Sequence, residues 1–323
     1  MKSLLTIIFL ISTPLFAQNT AEKTPVFEKS PEQVNAELLV KNREFKKALP
    51  LLEKLISAAK SETPAQISNT HGLMRSNAYV HLMTQQRDKA KKLIEDRYAF
   101  ITEKAAKFPD DLNLAKLRLL DLSRVANQLN IFKENDKRLA LNLEATTLAE
   151  TLLKAHPENQ EVKLAAITAY TDLGKTYRWN KNQREKCLPL VEKGMQVVDS
   201  LDAEKLPNYL TIENMSLQLL RLRVDVISLK KEYAKALEAS TDLLAKTKPM
   251  LSKDTPAHVL TGLFSSLYHH AFLHEKLGKP AEAQMHLQSL IDTIDQCLKK
   301  DPENAQLLRS KNTYTKLKGK PLR

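Results

Sequence analysis

The sequence contains very little glycine, with six residues among 323, against a usual share of about 7%. A phosphate-binding loop or a dinucleotide-binding turn needs glycines close together, where the backbone must approach a ligand or adopt positive φ. The six glycines are scattered, and Gly174-Lys175-Thr176 has no glycine five residues earlier. The common nucleotide-binding loops are therefore excluded.

Cysteine is almost absent as well. The two that occur, Cys187 and Cys297, are 110 residues apart and would lie in non-adjacent units of the repeat described below. A disulfide needs Cα atoms within about 7 Å. The sequence therefore predicts two free, buried, structural thiols.

Alternating runs of Val, Ile and Thr, which are typical of strands, are also missing. Leu, Ala, Lys and Glu dominate instead, and these residues favour helices. After the N-terminal segment there is no second apolar run long enough to cross a membrane. These absences predict an all-α protein without a transmembrane segment.

The N-terminal segment has the pattern of a secretory signal peptide. Met1-Lys2 is a positive start, the stretch from Leu4 to Phe16 is apolar, and Ala17 is a small residue suited to cleavage. The alternative, a buried N-terminal helix, is disfavoured by the abrupt polar stretch that begins at Gln18. We predict cleavage between Ala17 and Gln18, and a protein that is exported and is periplasmic or secreted. No cysteine lies near this point, so a lipid anchor is not indicated.

Evenly spaced prolines mark an internal repeat, which should be sought first in a long helical chain. The prolines are Pro64, Pro109, Pro157, Pro207, Pro256 and Pro302, and their spacings are 45, 48, 50, 49 and 46 residues. Proline suits the first turn of a helix, where its missing N–H would be unpaired anyway. Each unit also has a polar break midway, so we predict helical hairpins in which a proline opens the first helix.

The resulting domain division has three parts. Residues 1–17 form the signal peptide, 18–30 a flexible segment, and 31–323 an α-solenoid of antiparallel helical hairpins. Within the solenoid we expect a partial hairpin at 31–60, full units starting near 64, 109, 157, 207 and 256, and a basic capping helix at 303–318.

The residues of these hairpins resemble the tetratricopeptide repeat (TPR) family. The segment Tyr170-Thr171-Asp172-Leu173-Gly174-Lys175-Thr176-Tyr177 has the aromatic, Leu-Gly, aromatic pattern of the family's first helix. The second helix is matched by Ala48 with Leu52, by Tyr233 with Ala236, and by Ala283 with Leu287. The family period is 34 residues, so the second helices here are extended. The resemblance implies a TPR-like right-handed superhelix and a binding scaffold.

Small residues explain how such helices pack. Gly174, Ala78, Ala126 and Ala271 on first helices, and Ala48, Ala90, Ala236 and Ala283 on second helices, are expected to allow close contact with neighbouring helices.

Candidate chemistry is sparse. His270 and His274 share a helix face, as two metal ligands would, but a third ligand is needed and His286 is the only nearby candidate. Packing histidines are therefore favoured over a metal site. No carboxylate pair or Ser-His-Asp order is singled out, so the sequence indicates no catalytic residue, no metal and no cofactor.

The net charge of +12 comes from 50 Lys and Arg against 38 Asp and Glu. The cations cluster at the turns and in the C-terminal tail. A solvated lysine-rich surface is the simpler interpretation; the alternative is attraction to acidic proteins, envelope polymers or lipid head groups. Nucleic acid is disfavoured by export and by the lack of aromatic residues among the basic clusters.

TPR arrays bind with the concave face formed by their first helices, and the resemblance therefore implies a site there. The residues expected on that face are Arg75, Tyr79, Thr171, Lys175, Arg178, Arg221, Tyr268 and Phe272. A groove with basic middle and aromatic ends suits an extended acidic or amphipathic peptide. The sequence thus favours a non-catalytic scaffold of the cell envelope that binds protein or peptide. The alternative is an electrostatic binder of anionic envelope glycan or lipid, and an enzyme or metal-binding protein is less favoured.

Overall fold

The computed structural model describes residues 28–206, 212–251, 255 and 257–322, and within these ranges it contains thirteen α-helices, four short 3₁₀ helices and no strands. The α-helices are α1 (Pro31–Lys41), α2 (Phe45–Ala58), α3 (Pro64–Met83), α4 (Arg87–Lys107), α5 (Leu112–Leu129), α6 (Asn135–Ala155), α7 (Gln160–Trp179), α8 (Cys187–Asp199), α9 (Ile212–Leu229), α10 (Tyr233–Thr247), α11 (Ala257–Lys276), α12 (Pro280–Lys300) and α13 (Ala305–Thr315). The predicted signal peptide, most of the segment 18–30, Pro207 and Pro256 lie outside the described residues. The prediction of an all-α fold is confirmed.

Successive helices pair as antiparallel hairpins from α1–α2 to α11–α12, and α13 packs on the last of them. The first helix of each hairpin also packs on the first helix of the next, in the series α1, α3, α5, α7, α9, α11 and α13. Within the described ranges, no two successive second helices pack as closely. The array therefore curves with its first helices on the inner face, as a TPR-like α-solenoid does.

The turns inside the hairpins share one local geometry. Five of them contain a residue in the left-handed region, with φ between 62° and 74°: Arg43, Gln85, Lys133, Lys231 and Gly278. The next residue donates its N–H to a carbonyl five positions back, as Gln86 does to His81 at 2.9 Å and Lys279 does to His274 at 3.0 Å. This hydrogen bond belongs to the Schellman motif, which satisfies carbonyls at a helix end. The α7–α8 turn is different and contains a short 3₁₀ helix, Arg184–Lys186.

The repeat-marking prolines occupy two kinds of position. Pro64 opens α3 as predicted, behind a Thr63 capping box with Gln66. The other three described prolines stand two residues before an Asp or Asn cap: Pro109 before Asp111, Pro157 before Asn159, and Pro302 before Asn304. The prediction that each proline lies in the first helical turn is therefore wrong at these three. The proline belongs to the turn, and the cap side chain accepts a hydrogen bond from the first helical amides.

Small residues form the inter-helix contacts that the sequence predicted. The seven alanines at positions 48, 78, 90, 126, 236, 271 and 283 are all fully buried. A Cβ on Gly174 would lie 3.1 Å from Leu222 of α9 and 3.4 Å from Cys187 Sγ of α8. The structure thus shows close helix contact at Gly174 and buries the seven alanines, as close packing requires.

The two cysteines are free. Cys187 is buried in the core as predicted, and burial raises the pKa of its thiol to about 11. The prediction is wrong for Cys297, which is only half-buried near the end of α12. Burial nevertheless raises the pKa of Cys297 too. Neither thiol has the lowered pKa that reactive cysteines require.

Candidate functional site

The eight predicted concave-face residues lie on the first helices α3, α7, α9 and α11. Seven of them are half-buried. Thr171 is only 3% exposed, so it is part of the core and is not accessible to a partner. Its neighbour Thr168 on the same helix is exposed instead.

Two of the predicted aromatic residues are used in contacts within the fold. The ring of Tyr79 packs edge-on against Phe45 of α2, with centroids 6.0 Å apart. Tyr268 packs against Tyr314 of α13 at 5.6 Å. Phe272 lies under the ammonium of Lys276, 4.9 Å from the ring centroid. Of the three, Phe272 is the one that borders an open groove.

A buried ionic cluster joins α3, α4 and α5. Arg97 of α4 is fully buried, with Nη2 2.9 Å from Asp121 Oδ1 and 3.1 Å from Gln128 Oε1. His71 Nε2 of α3 lies 3.0 Å from the same Asp121 oxygen. Burial would raise the pKa of Asp121, but Arg97 and His71 outweigh it and hold that pKa at about 2. Burial is the main cause that lowers the pKa of His71, so the ring is neutral near pH 7.

Two more arginines make this cluster cationic. Arg75 and Arg124 are half-buried beside Arg97 and Asp121. Burial, then the adjacent Arg75, lowers the pKa of Arg124 to about 10, and burial followed by Arg97 lowers the pKa of Arg75. Within the described residues, Nε and Nη1 of Arg97 have no hydrogen-bond partner. The Arg75–Arg97–Arg124 cluster thus shares the Asp121 carboxylate, with Glu37 also attracting Arg75, and two nitrogens of Arg97 remain as spare donors.

A groove opens where the C-terminal ends of α7, α9 and α11 meet. Its volume is about 400 Å³, and it is lined by Arg178, Trp179, Asp225, Ser228, Leu229, Lys231, Tyr233, His269 and Phe272. We call it the Trp179 groove, because Trp179 is 66% exposed at its edge. The guanidinium of Arg178 stacks over the indole at 4.5 Å and is paired with Asp225. The groove therefore combines an exposed aromatic surface with a fixed ion pair.

His269 bridges two residues of α9 in this groove. Its Nδ1 lies 3.3 Å from Asp225 Oδ1, and its Nε2 lies 3.3 Å from Ser228 Oγ. This is the hydrogen-bond order of a Ser-His-Asp triad. However, Ser228 lies within α9, where the backbone amides are used in the helix's own hydrogen bonds and do not supply an oxyanion hole. We therefore interpret the bridge as a link between α9 and α11.

Three histidines come together elsewhere, between α11 and α12. His270 and His274 are joined by His286, the third ligand that the sequence could only suggest. The ring centroids lie 4.5 to 5.1 Å apart. These side chains are the ones that can hold a metal ion in the described part of the chain.

Many lysines of the basic surface are paired with acids. Three ion pairs link successive second helices: Lys89 with Glu53 at 3.1 Å, Lys137 with Glu95 at 3.1 Å, and Lys193 with Glu150 at 2.6 Å. Exposed pairs of this kind stabilise a fold by at most about 1 kcal/mol. Their consequence is electrostatic, since they neutralise part of the outer surface and leave the inner-face arginines more prominent.

Sequence reasoning missed several residues that the structure brings together: Arg97, Asp121, Arg124, Trp179 and His269. A signal existed for the first, because Arg97 lies between Ile94 and Ile101 at helical spacing, and both isoleucines are fully buried. A charge on the buried stripe of a helix implies a partner. No comparable pattern indicated Trp179, whose position at the end of α7 looks like an ordinary turn.

The hairpins stacked in register, with first helices inside, define an α-solenoid of the TPR-like class. None of its described helices is long and apolar enough to span a bilayer.

Comparison with known proteins supports the fold. The sequence matches no protein-family model and no curated protein sequence. Among solved structures, the chain is similar to BtubC (BKLC) from P. vanneervenii, with a TM-score of 0.55 and 12% identity over 81% of this chain and 92% of that one. This similarity shows a shared helical-repeat fold.

Two further structures are less similar. A putative kinesin light chain with nearly identical TPR-like repeats from Podosopora anserina has a TM-score of 0.46, at 18% identity over 71% of this chain and 100% of that one. A tetratricopeptide repeat protein from Parabacteroides merdae has a TM-score of 0.42, at 12% identity over 88% and 91% of the two chains.

Proposed function

We propose that this chain is a non-catalytic scaffold that binds an extended protein or peptide segment along its inner face. The observation that carries the proposal is the Trp179 groove, an open cavity of about 400 Å³ on the first-helix side of the array. Solenoids of this kind present extended concave surfaces for binding. The groove lies between three successive first helices, so a segment that follows the inner face would pass over it.

The composition of the groove matches that of protein-binding hot spots, in which Trp, Tyr and Arg are enriched. Trp179 is exposed, and the stacked guanidinium of Arg178 restricts its movement. Tyr233 and Phe272 supply apolar walls. A bound apolar or aromatic side chain would gain contact area there at a low entropic cost, because the indole is already held in place.

The charges of the inner face favour a partner with acidic groups. Arg178 and Asp225 neutralise one another. Lys175 has a 40% exposed side chain that lies 3.3 Å from Asp172 Oδ1, and Arg221 lies one helical turn before Asp225. An acidic or amphipathic segment would therefore meet Lys175 and Arg221 one helical turn before the groove, on α7 and α9. Repulsion would disfavour a strongly basic segment.

The test uses the fact that Trp179 is the sole tryptophan of the chain. Proteins that are captured by the wild-type chain are then titrated into a solution of that chain. We expect the fluorescence emission of Trp179 to shift as the groove fills. The Trp179→Ala and Arg221→Glu variants should weaken capture at least 10-fold. The matched control is Lys318→Glu, which changes an exposed cation far from the groove. Equal losses in all three variants, or binding without a change in emission, would contradict the proposal.

A second candidate function is electrostatic binding of an anionic envelope glycan or lipid. The Arg75–Arg97–Arg124 cluster favours it, because three guanidinium groups face two carboxylates, Asp121 and Glu37. Vesicles that contain phosphatidylglycerol are the probe. We expect the wild-type chain to sediment with these vesicles at low salt. Two results would support this candidate: loss of sedimentation at about 0.3 M salt, where screening is strong, and loss of sedimentation in a variant that carries both Arg75→Glu and Arg124→Glu. Binding that persists at this salt favours the groove.

We also propose that the chain acts outside the cytoplasm, as its N-terminal sequence suggests. N-terminal sequencing of the protein purified from cell-envelope and culture fractions should give Gln18 as the first residue. A mature protein that retains Met1 and remains with the cytoplasmic fraction would overturn this part of the proposal.

A further inference from the structure

Three histidine rings form a compact cluster between the two helices of the last hairpin. His270 and His274 lie one turn apart on α11, and His286 projects from α12. One ring nitrogen of each can serve as a ligand, and these three atoms lie within 4.8 Å of one another. The cluster is thus carried by two rigid helices rather than by loops, and rigid elements hold ligands in fixed positions.

The outer contacts of the rings orient them. His274 Nδ1 lies 2.8 Å from Glu282 Oε2 of α12, and His270 Nδ1 lies 3.2 Å from Ser240 Oγ of α10. If each Nδ1–H is donated to these oxygens, the lone pair is on Nε2. A histidine that binds a metal commonly donates its other ring N–H to a carboxylate in this way. Glu282 would make His274 a more basic ligand, and Ser240 would fix the ring of His270.

Burial favours the neutral form of two of the rings, His270 and His286. His270 is 8% exposed and His274 is 9% exposed, whereas His286 is more open. Burial, followed by the neighbouring His286 and His274, lowers the pKa of His270 to about 4, and burial also lowers the pKa of His286. Neutral imidazole is the form that binds metal. The open side at His286 gives an ion access to the cluster.

We propose that His270, His274 and His286 bind one zinc ion through their ring nitrogens, with water at the fourth position. Zinc takes imidazole nitrogens at about 2.0–2.1 Å in a tetrahedral arrangement, which places the nitrogens about 3.3 Å from one another. The ring nitrogens now lie within 4.8 Å of one another, so each of these distances has to shrink by at most about 1.5 Å to reach the zinc geometry. Rotations of the side chains supply this change. Three protein ligands leave one position open, as in zinc sites that exchange a water ligand.

The ion would also have a structural effect, because it joins α11 to α12. It binds the folded hairpin and has no preformed site in the unfolded chain, so it should raise the unfolding temperature in proportion to the logarithm of its concentration. Glu282 adds a negative charge close to the three imidazole rings, which favours a divalent cation there.

The experiment uses the untagged full chain after treatment with a chelator. Titration calorimetry with Zn²⁺ should show one ion per chain, and Co²⁺ should give the intense visible absorption of a tetrahedral complex. We expect His274→Gln and His286→Gln to weaken Zn²⁺ binding more than 100-fold. Glu282→Gln, which keeps all three ligands, should weaken it by about 10- to 100-fold.

The matched control is His156→Gln, an exposed histidine in the turn after α6, which should bind Zn²⁺ as the wild type does. Far-UV circular dichroism establishes that each variant is folded. Because Glu282 is half-exposed, its variant keeps the test decisive if a histidine variant fails to fold. The proposal is overturned if folded wild type and His286→Gln bind Zn²⁺ equally, or if Zn²⁺ raises the unfolding temperature of both by the same amount.

Discussion

Asp121 pairs with Arg97 and His71, and its charge also attracts Arg75 and Arg124. Desolvation of so many charged groups is costly, and their attraction to Asp121 offsets that cost only while the carboxylate is ionised. Removing one partner of a buried pair typically costs about 3–5 kcal/mol. We therefore expect Asp121→Asn to be strongly destabilised at pH 7.

The pH dependence of the difference in unfolding free energy between wild type and Asp121→Asn shows whether the ionised carboxylate is the source of the stabilisation. The pKa of Asp121 is about 2 in the folded chain against an ordinary value of 3.8. Since the folded value is the lower one, the stabilisation is complete above about pH 4 and is lost as the pH falls toward 2. Urea unfolding of wild type and Asp121→Asn should give a free-energy difference that shrinks by about 2 kcal/mol over this interval.

Asp96→Asn is the control for this experiment. Asp96 is an exposed partner of Lys92 on the same helix, and its substitution should change the free energy of unfolding by less than about 0.5 kcal/mol. A difference between wild type and Asp121→Asn that stays constant from pH 5 to pH 2 would contradict the assignment of a low pKa to Asp121.

This cluster also shows where residue-level prediction from sequence ends. A charged residue between two buried isoleucines signals that Arg97 has a partner, because helical spacing is a local property. That partner, however, is 24 positions away and on another helix, and His71 is 26 positions away in the other direction. No local pattern relates these positions. The same limit applies to His286, whose distance from His270 depends on how α11 and α12 cross.

At the scale of the helical element, the turns were easier to predict than the helix starts. The polar break midway through each unit predicted where the first helix ends, and the structure shows a left-handed residue in five of the hairpin turns. The prolines were harder to interpret, since proline favours both a first helical turn and the turn before a cap. The capping side chains Asp111, Asn159 and Asn304 distinguish these cases, because each accepts a backbone N–H at the helix start.

Two glycines with equal free space should respond oppositely to alanine. A Cβ on either Gly72 or Gly278 would meet no atom within 4 Å. Gly278 has φ of +74° in the α11–α12 turn, a conformation that costs alanine about 1–2 kcal/mol. Gly72 lies inside α3, where alanine is favoured over glycine by about 0.8–1.0 kcal/mol. We expect Gly278→Ala to lower the free energy of unfolding by about 1 kcal/mol and Gly72→Ala to raise it by up to that amount.

Thermal and urea unfolding of the two variants measure this difference, and each variant serves as the other's control because neither substitution touches a side chain. Changes of the same sign in both would mean that backbone conformation does not decide the outcome. If Gly72→Ala alone lost stability, the added methyl group would be meeting neighbouring atoms around α3 that lie closer than they do in the structure.

At the scale of the whole molecule, the array has a strong centre and weaker ends. Thirteen of the twenty residues of α7 are buried, against two of the eleven in α1. The largest apolar clusters span α5 to α9 and α9 to α13, whereas the cluster around α1 and α2 contains five buried residues. In a solenoid each unit contacts only its neighbours, so stability follows this distribution. The regular proline spacing contained no information about how burial is distributed among the units.

Native-state hydrogen exchange should therefore show graded protection along the chain, lowest in α1 and α2 and highest in α7. The substitution Leu52→Ala removes a fully buried side chain of α2 and should cost about 2–5 kcal/mol. Because coupling passes between neighbours only, exchange should accelerate in α1 to α4 and stay unchanged in α11 and α12. The matched variant Leu287→Ala, fully buried in α12, should produce the reverse pattern. If either substitution accelerates exchange uniformly over all helices, the molecule unfolds as a single cooperative unit, and the nearest-neighbour description of its stability is wrong.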